Sequence, residues 1–323
     1  MMMTSATEVL LPIWRRVLQE SAIRANDNFF DLGGNPSSAT RLFREIAEVC
    51  GRDLPPMMIY SAPTIEALAA LLEQPSPPRV PPLLLLKAGT GQPPIFIAHG
   101  LGDTVFSLFH LVDKIESAHP IYGMQSRGID GVDDPFTSIE AMAQFHLDAI
   151  KKLQPHGPYF LIGYSLGGLV TLEMAQRLSA DGERVALLVL VDSYPDKSHL
   201  SILQYVLLSL RLAKRRAGAL IGAPGRTRPQ IPEESGGNST TRRMQDSAYL
   251  ALRRYRPRFY RGGIKFVKAE INTYFPDNPI AVWSHLAEKF EVETIPGDHL
   301  DLLTTQFEKL GSVLSRYLEK ASS

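Results

Sequence analysis

Residues 162–168, "IGYSLGG", decide how this chain is read. They join an apolar run, "PYFLIGYS" (Pro158–Ser165), to "LGGLVTLEMAQRLSADG", which reads as a helix. Gly163-x-Ser165-x-Gly167 is a strand–turn–helix pattern that lifts a serine out of the end of a strand. The glycines leave room for a tight turn. A glycine-rich turn without chemistry can carry the same letters, so the reading depends on what surrounds it.

Working outward, five more short apolar runs read as strands: "PIFIAHG" (94–100), "PIYGMQ" (120–125), "RVALLVLVDS" (184–193), "GIKFVKAE" (263–270) and "FEVETIPGD" (290–298). Continuous apolar runs of this length suit a parallel sheet covered on both faces. Between them, "TSIEAMAQFHLDAIKKL" predicts a helix, with Thr137 and Glu140 spaced as a capping box. Its apolar face carries Ile139, Met142, His146, Ala149, Ile150 and Leu153. Alternating strands and helices predict an α/β region wound around a mostly parallel sheet.

The first 75 residues read as a small all-α bundle of three or four helices. In "NFFDLGGNPSSATRLFREIAEVCG", Asn35 suits an N-cap, Pro36 the first helical position and Gly51 the stop. Thr64 is the expected cap of "APTIEALAALLEQ". Proline crowds the join, so residues 76–92 are expected to be an extended linker. The expected units are therefore 1–75, the linker, and 93–323.

Composition sets limits. The 323 residues are 44% hydrophobic and 21% charged with no net charge, which gives no general case for nucleic acid or an anionic membrane. The single cysteine, Cys50, excludes an internal disulfide framework and suits a reducing compartment. No signal peptide is read at the start, and the longest apolar stretch is interrupted by basic residues. A cytoplasmic protein with no membrane span is expected.

Ser165 has partners in the right chain order, serine, acid, histidine. Asp192 ends the run "LLVLVDS", and His299 follows the last run in "IPGDHLDLL". A carboxylate at a strand end can orient an imidazole, which then serves as the base for the serine. An oxyanion hole needs two N–H donors. The backbone of Leu166 supplies one, and the loop "AHGLGD" the other, with Leu101 favoured over Gly100.

On these stretches, with "ALRRYRPRFYRGGIKFVKAE", the chain resembles the carrier–thioesterase didomain of nonribosomal peptide synthetases over nearly its whole length. The carrier side of the resemblance rests on "NDNFFDLGGN", "ATRLF" and "APTIEALAALL". The resemblance implies an α/β-hydrolase with a helical lid, expected at about residues 198–250, preceded by a small four-helix carrier-like bundle. It implies a Ser165–His299–Asp192 thioesterase that forms an acyl-enzyme and releases an acyl or peptidyl chain from a phosphopantetheine thioester by hydrolysis or cyclisation, in nonribosomal peptide or polyketide biosynthesis. An upstream synthetase carrier would deliver the substrate, and hydrolysis would need neither cofactor nor metal. The family's phosphopantetheine serine is Pro36 here, which has no hydroxyl. Ser37, one residue on, is turned about 100° around the helix, so loading is doubtful. The alternatives are a stand-alone carboxylester hydrolase, or a docking protein with a non-loadable carrier. Between Arg211 and Arg261, thirteen basic residues stand against three acidic ones. That excess is expected to be either a solvated lid surface or a guide for an acidic carrier and the pantetheine phosphate.

Overall fold

The structure is a computed structural model that describes residues 6–74, 79–196, 239–271 and 278–322. The N-terminal region packs α1 (Ala6–Leu18), α2 (Pro36–Cys50), a 3₁₀ turn (Pro56–Tyr60) and α3 (Ile65–Leu72) around their own core. Trp14 and Phe29 meet edge to face, centroids 5.3 Å apart, among Leu10, Leu42, Ile46 and Leu68. The helix signals act as expected. Asn35 accepts from Ser38 N–H, Gly51 closes α2 in the left-handed region at φ 65°, and Thr64 accepts from Ala67 N–H.

Seven described strands make one sheet: β1 (Leu83–Lys87), β2 (Ile95–Ala98), β3 (Ile121–Met124), β4 (Tyr159–Tyr164), β5 (Val185–Val191), β6 (Tyr260–Ile271) and β7 (Ala287–Asp298). Their spatial order is β1-β3-β2-β4-β5-β6-β7. Only β1 runs antiparallel, against β3; the remaining described pairs are parallel. β1 lies within the expected linker, residues 76–92. No proline falls between Pro82 and Pro93, and the leucine run there can pair, so it closes one edge of the sheet.

Alternate side chains of each strand enter opposite cores, as a two-residue period requires. Phe96, Leu161 and Leu188 face α5 (Ile139–Leu153) and α6 (Leu166–Ala180). Ile95, Ile162 and Val189 face α4 (Phe109–Lys114) and the C-terminal helix. Ser138, not Thr137, caps α5 by accepting from Ala141 N–H, which leaves the expected Thr137–Glu140 box unused. α7 (Ser239–Arg254) lies over the first face, with Ala248 and Ala251 in its core. Three short or terminal helices follow: α8 (Pro279–Trp283), α9 (Asp301–Thr304) and α10 (Phe307–Ser322). Most of the expected lid, residues 198–238, lies outside the described residues, as do six of the thirteen basic residues.

The helical region and the sheet region touch through apolar and aromatic contacts. Met57 shares a small cluster with Leu84 and Val105. Phe30 stacks on Tyr60 at 4.9 Å and on Phe109 at 6.1 Å, while Tyr60 lies 5.6 Å from Phe106.

Candidate active site

Ser165 occupies the turn between β4 and α6 with φ 54° and ψ −121°. A positive φ costs a non-glycine residue about 1–3 kcal/mol, so packing must enforce it. Ser165 N–H donates to Val191 O at 2.9 Å, and Ser165 O accepts from Gly168 N–H at 3.1 Å. A Cβ on Gly163 would collide with Gly167 O, and one on Gly167 would lie 2.5 Å from His99 O. The first turn of α6 therefore presses on both β4 and the end of β2, a closeness only glycine permits. Ser165 itself is half-buried.

Asp192 follows β5 directly and also has positive φ, 45°. It is buried. Its Oδ1 accepts from Ala269 N–H on β6 at 3.2 Å, and its Oδ2 lies 2.7 Å from His299 Nδ1. With a carboxylate there, Nδ1 carries the proton and Nε2 is left as a base. The loop carrying His299 is held by two aspartates. Asp298 Oδ1 accepts from Leu300 and Asp301 N–H, and Asp301 Oδ2 accepts from Asp298 N–H.

Tyr164 ties this loop to the serine turn. Its ring stacks on the His299 imidazole, centroids 4.8 Å apart and planes 19° from parallel. Its hydroxyl donates to His299 O at 2.8 Å. Burial, then the nearby Asp192 charge, pushes the phenol well above its ordinary range, so it stays a neutral donor. Sequence reasoning passed over Tyr164, since the serine pattern leaves that position open. The Asp298–Asp301 pair had a signal, an i, i+3 acidic spacing beside a glycine, which was not used.

Of the two expected oxyanion residues, Leu166 follows Ser165 directly and Leu101 follows β2. Leu166 begins α6, whose first N–H groups and dipole favour negative charge. Leu101 lies in the turn after β2, half-buried against the core. The preceding Gly100 comes so near that a Cβ on it would lie 3.4 Å from Ser165 Cβ. Serine turn, histidine loop, buried acid and the loop after β2 thus share the C-terminal edge of the sheet. Such a group can support acyl transfer through serine.

At the other end of the chain, Pro36 opens α2. Ser37 is exposed, whereas Ser38 is buried and its hydroxyl both accepts from Asn35 N–H and donates to Asn35 O. The position that would bear a phosphopantetheine therefore does not fit the group. The nearest exposed hydroxyl is one residue away.

Comparison with known proteins matches residues 8–72 to the phosphopantetheine attachment site family and residues 93–205 to the thioesterase domain family. Malpibaldin synthetase of Mortierella alpina is 30% identical over 302 residues, covering 91% of this chain and 5% of that protein. A dimodular nonribosomal peptide synthase of Bacillus subtilis is 37% identical over 194 residues, covering 60% of this chain and 8% of that protein. The chain thus spans a small part of the curated relatives it matches. Among solved structures, a four-domain nonribosomal peptide synthetase superposes with a TM-score of 0.61 over 97% of this chain and 26% of its own, at 20% identity. The NocB thioesterase domain of the nocardicin cluster gives 0.53 over 72% of this chain and 95% of its own, at 21% identity. At such identities the likeness is one of fold, an α/β-hydrolase preceded by a helical carrier-type region.

Proposed function

Since a phosphopantetheine-attachment domain followed by a thioesterase domain makes this chain a carrier–thioesterase didomain, we propose that it releases an acyl or peptidyl chain from a carrier-bound thioester in nonribosomal peptide assembly. The observation that carries the reading is the 2.7 Å contact of His299 Nδ1 with buried Asp192, beside the strained turn of Ser165. In this mechanism His299 Nε2 takes the Ser165 proton as Oγ attacks the thioester carbonyl. The oxyanion lies against the N–H groups of Leu166 and Leu101. The thiolate leaves, taking the proton from His299, and an ester remains on Ser165. Water, or a hydroxyl or amine of the acyl chain, then attacks that ester with His299 again as base.

The N-terminal domain acts in this proposal as a docking module that carries no phosphopantetheine at residue 36, because proline has no side-chain hydroxyl to accept the phosphopantetheinyl group. The substrate then arrives on another carrier, in the cytoplasm, where a single unpaired cysteine is at home. The same proposal divides the chain at residues 76–92, with β1 inside the joining stretch. The experiment is turnover of a synthetic pantetheine thioester by the parent and by Ser165→Ala, with mass spectrometry of the trapped acyl-enzyme. The parent should hydrolyse the thioester and acquire the acyl mass on Ser165, and the variant should do neither. A variant rate within a few-fold of the parent would remove Ser165 from the mechanism.

A further inference from the structure

On the α5 side of Ser165 lies a cavity of about 40 Å³. That is roughly three times the 10–15 Å³ that one water requires. Leu166 and Gly100 border it, so it opens beside one proposed oxyanion donor and the residue that precedes the other. Its walls are largely apolar, with Met124, Met142, Phe145 and Val170 among them. Four polar side chains interrupt that lining: His99, Ser126, Arg127 and His146. His99 is satisfied. Its Nδ1–H donates to Gly100 O at 2.9 Å, which makes Nε2 an acceptor for Ser126 Oγ–H at 3.3 Å. Arg127, also on the wall, turns its guanidinium over the Phe136 ring at 5.0 Å and pairs with Asp133 at 3.4 Å.

His146 is different. It is 5% exposed, and its Nδ1 is fully buried with no hydrogen-bond partner among the described residues. Leaving such an atom unpaired costs about 1–3 kcal/mol. Its neighbours on the buried face of α5, Ile139, Ala143, Leu147 and Ile150, are all apolar, and packing alone asks for nothing else there. His146 nonetheless lines the unfilled space next to the serine, and an imidazole kept there among apolar neighbours has a role if a polar group of a ligand meets the edge of the ring that borders the space.

Resting on the thioesterase reading above, we propose that this cavity receives the part of the acyl group next to the reacting carbonyl, and that His146 hydrogen-bonds a hydroxyl borne by it. A hydroxyl fits because it both donates and accepts, and so meets either tautomer of a neutral imidazole. A carboxylate or ammonium would be stripped of water among apolar walls at high cost. The size of the space selects a short hydroxyacyl group, and the three methionines of its lining, Met124, Met142 and Met244, adapt to its shape.

The test compares 3-hydroxybutyryl- and butyryl-N-acetylcysteamine thioesters on the full chain. The parent should favour the hydroxyacyl substrate in kcat/KM by about ten-fold, one buried hydrogen bond's worth. In His146→Leu the ratio should fall to near one, and in His146→Gln, which keeps a donor and an acceptor, a preference of several-fold should remain. Thermal melts confirm folding, and if His146→Leu does not fold, the parent and His146→Gln ratios decide. Equal parent rates on the two thioesters would overturn the proposal and leave the thioesterase reading standing. So would a ratio unchanged in His146→Leu, which would mean that the imidazole does not meet the substrate. Absence of turnover and of Ser165 acylation with both substrates would remove the thioesterase reading and this inference together.

Discussion

Tyr164 holds together two segments that are 135 residues apart in sequence, the serine turn and the histidine loop. Its ring fixes the plane of the imidazole and its hydroxyl fixes the backbone beneath it. Tyr164→Phe should therefore keep the stack and lower kcat several-fold, with KM nearly unchanged, in line with one neutral hydrogen bond of about 1 kcal/mol. Tyr164→Ala should lower kcat much further at the same KM. A proportional rise in KM in either variant would count against a positioning role. Asp192→Asn keeps an oxygen for Ala269 N–H but loses the charge that sets the His299 tautomer, so turnover of the pantetheine thioester should drop by about 10⁴. His146 makes a prediction about pH. Burial first, and the neighbouring His99 second, lower its folded-state value to about 3. The unfolded chain, near the ordinary 6.5, then binds the extra proton, so stability falls as pH drops below about 6.5 and goes on falling towards 3. At pH 5 the loss from His146 should be about 2 kcal/mol. His99, also lowered by burial, acts in the same direction. The drop in melting temperature from pH 7.5 to 5.0 should be smaller in His146→Gln than in the parent.

Among the elements, α6 matters most, because its first turn is where strand, serine and donor loop are forced together. Gly167→Ala would put a methyl against the backbone of Ala98 and His99. Backbone cannot move aside as a flexible side chain can, so helix and β2 must part. The expected cost is about 1–3 kcal/mol of stability. Turnover should fall more steeply than stability, since the serine and both expected oxyanion positions shift. A melting curve and kcat/KM on one preparation separate the two effects. Other elements show where local reading stops. Ser138 wins the cap from Thr137 although both hydroxyls suit the position, because the choice turns on which residue the preceding loop leaves extended. β1 was hidden in a proline-rich stretch, because a strand's pairing partner lies far along the chain.

At the scale of the whole molecule, the helical region and the sheet region each have their own core, and rings bridge them. Phe30, four residues before Gly34, meets Tyr60 and Phe109. Phe30→Ala should loosen this junction. Amide exchange should rise in α4, the helix of Phe109, while β4 and β5 stay protected. Unchanged exchange in α4 would mean that the rings touch without coupling the regions. For the carrier itself, Pro36→Ser should gain a phosphopantetheine mass with coenzyme A and a phosphopantetheinyl transferase, whereas the parent should gain none at residue 36. No gain in the variant would show that transferase recognition is lost along with the hydroxyl.

From the sequence alone, Gly163-x-Ser165-x-Gly167, the apolar runs around it and the caps at Asn35 and Thr64 established an α/β region behind a helical one. These signals are local, set by backbone sterics and side-chain period within a few residues. Asp192 and His299 could be nominated by chain order, but their 2.7 Å contact depends on β5, β6 and β7 lying side by side. Tyr164 behind His299, the register that makes β1 an edge strand, and the cavity facing His146 belong to tertiary structure. Each is a meeting of segments whose separation along the chain says nothing of their distance in space, and packing, not local propensity, decides which of them touch.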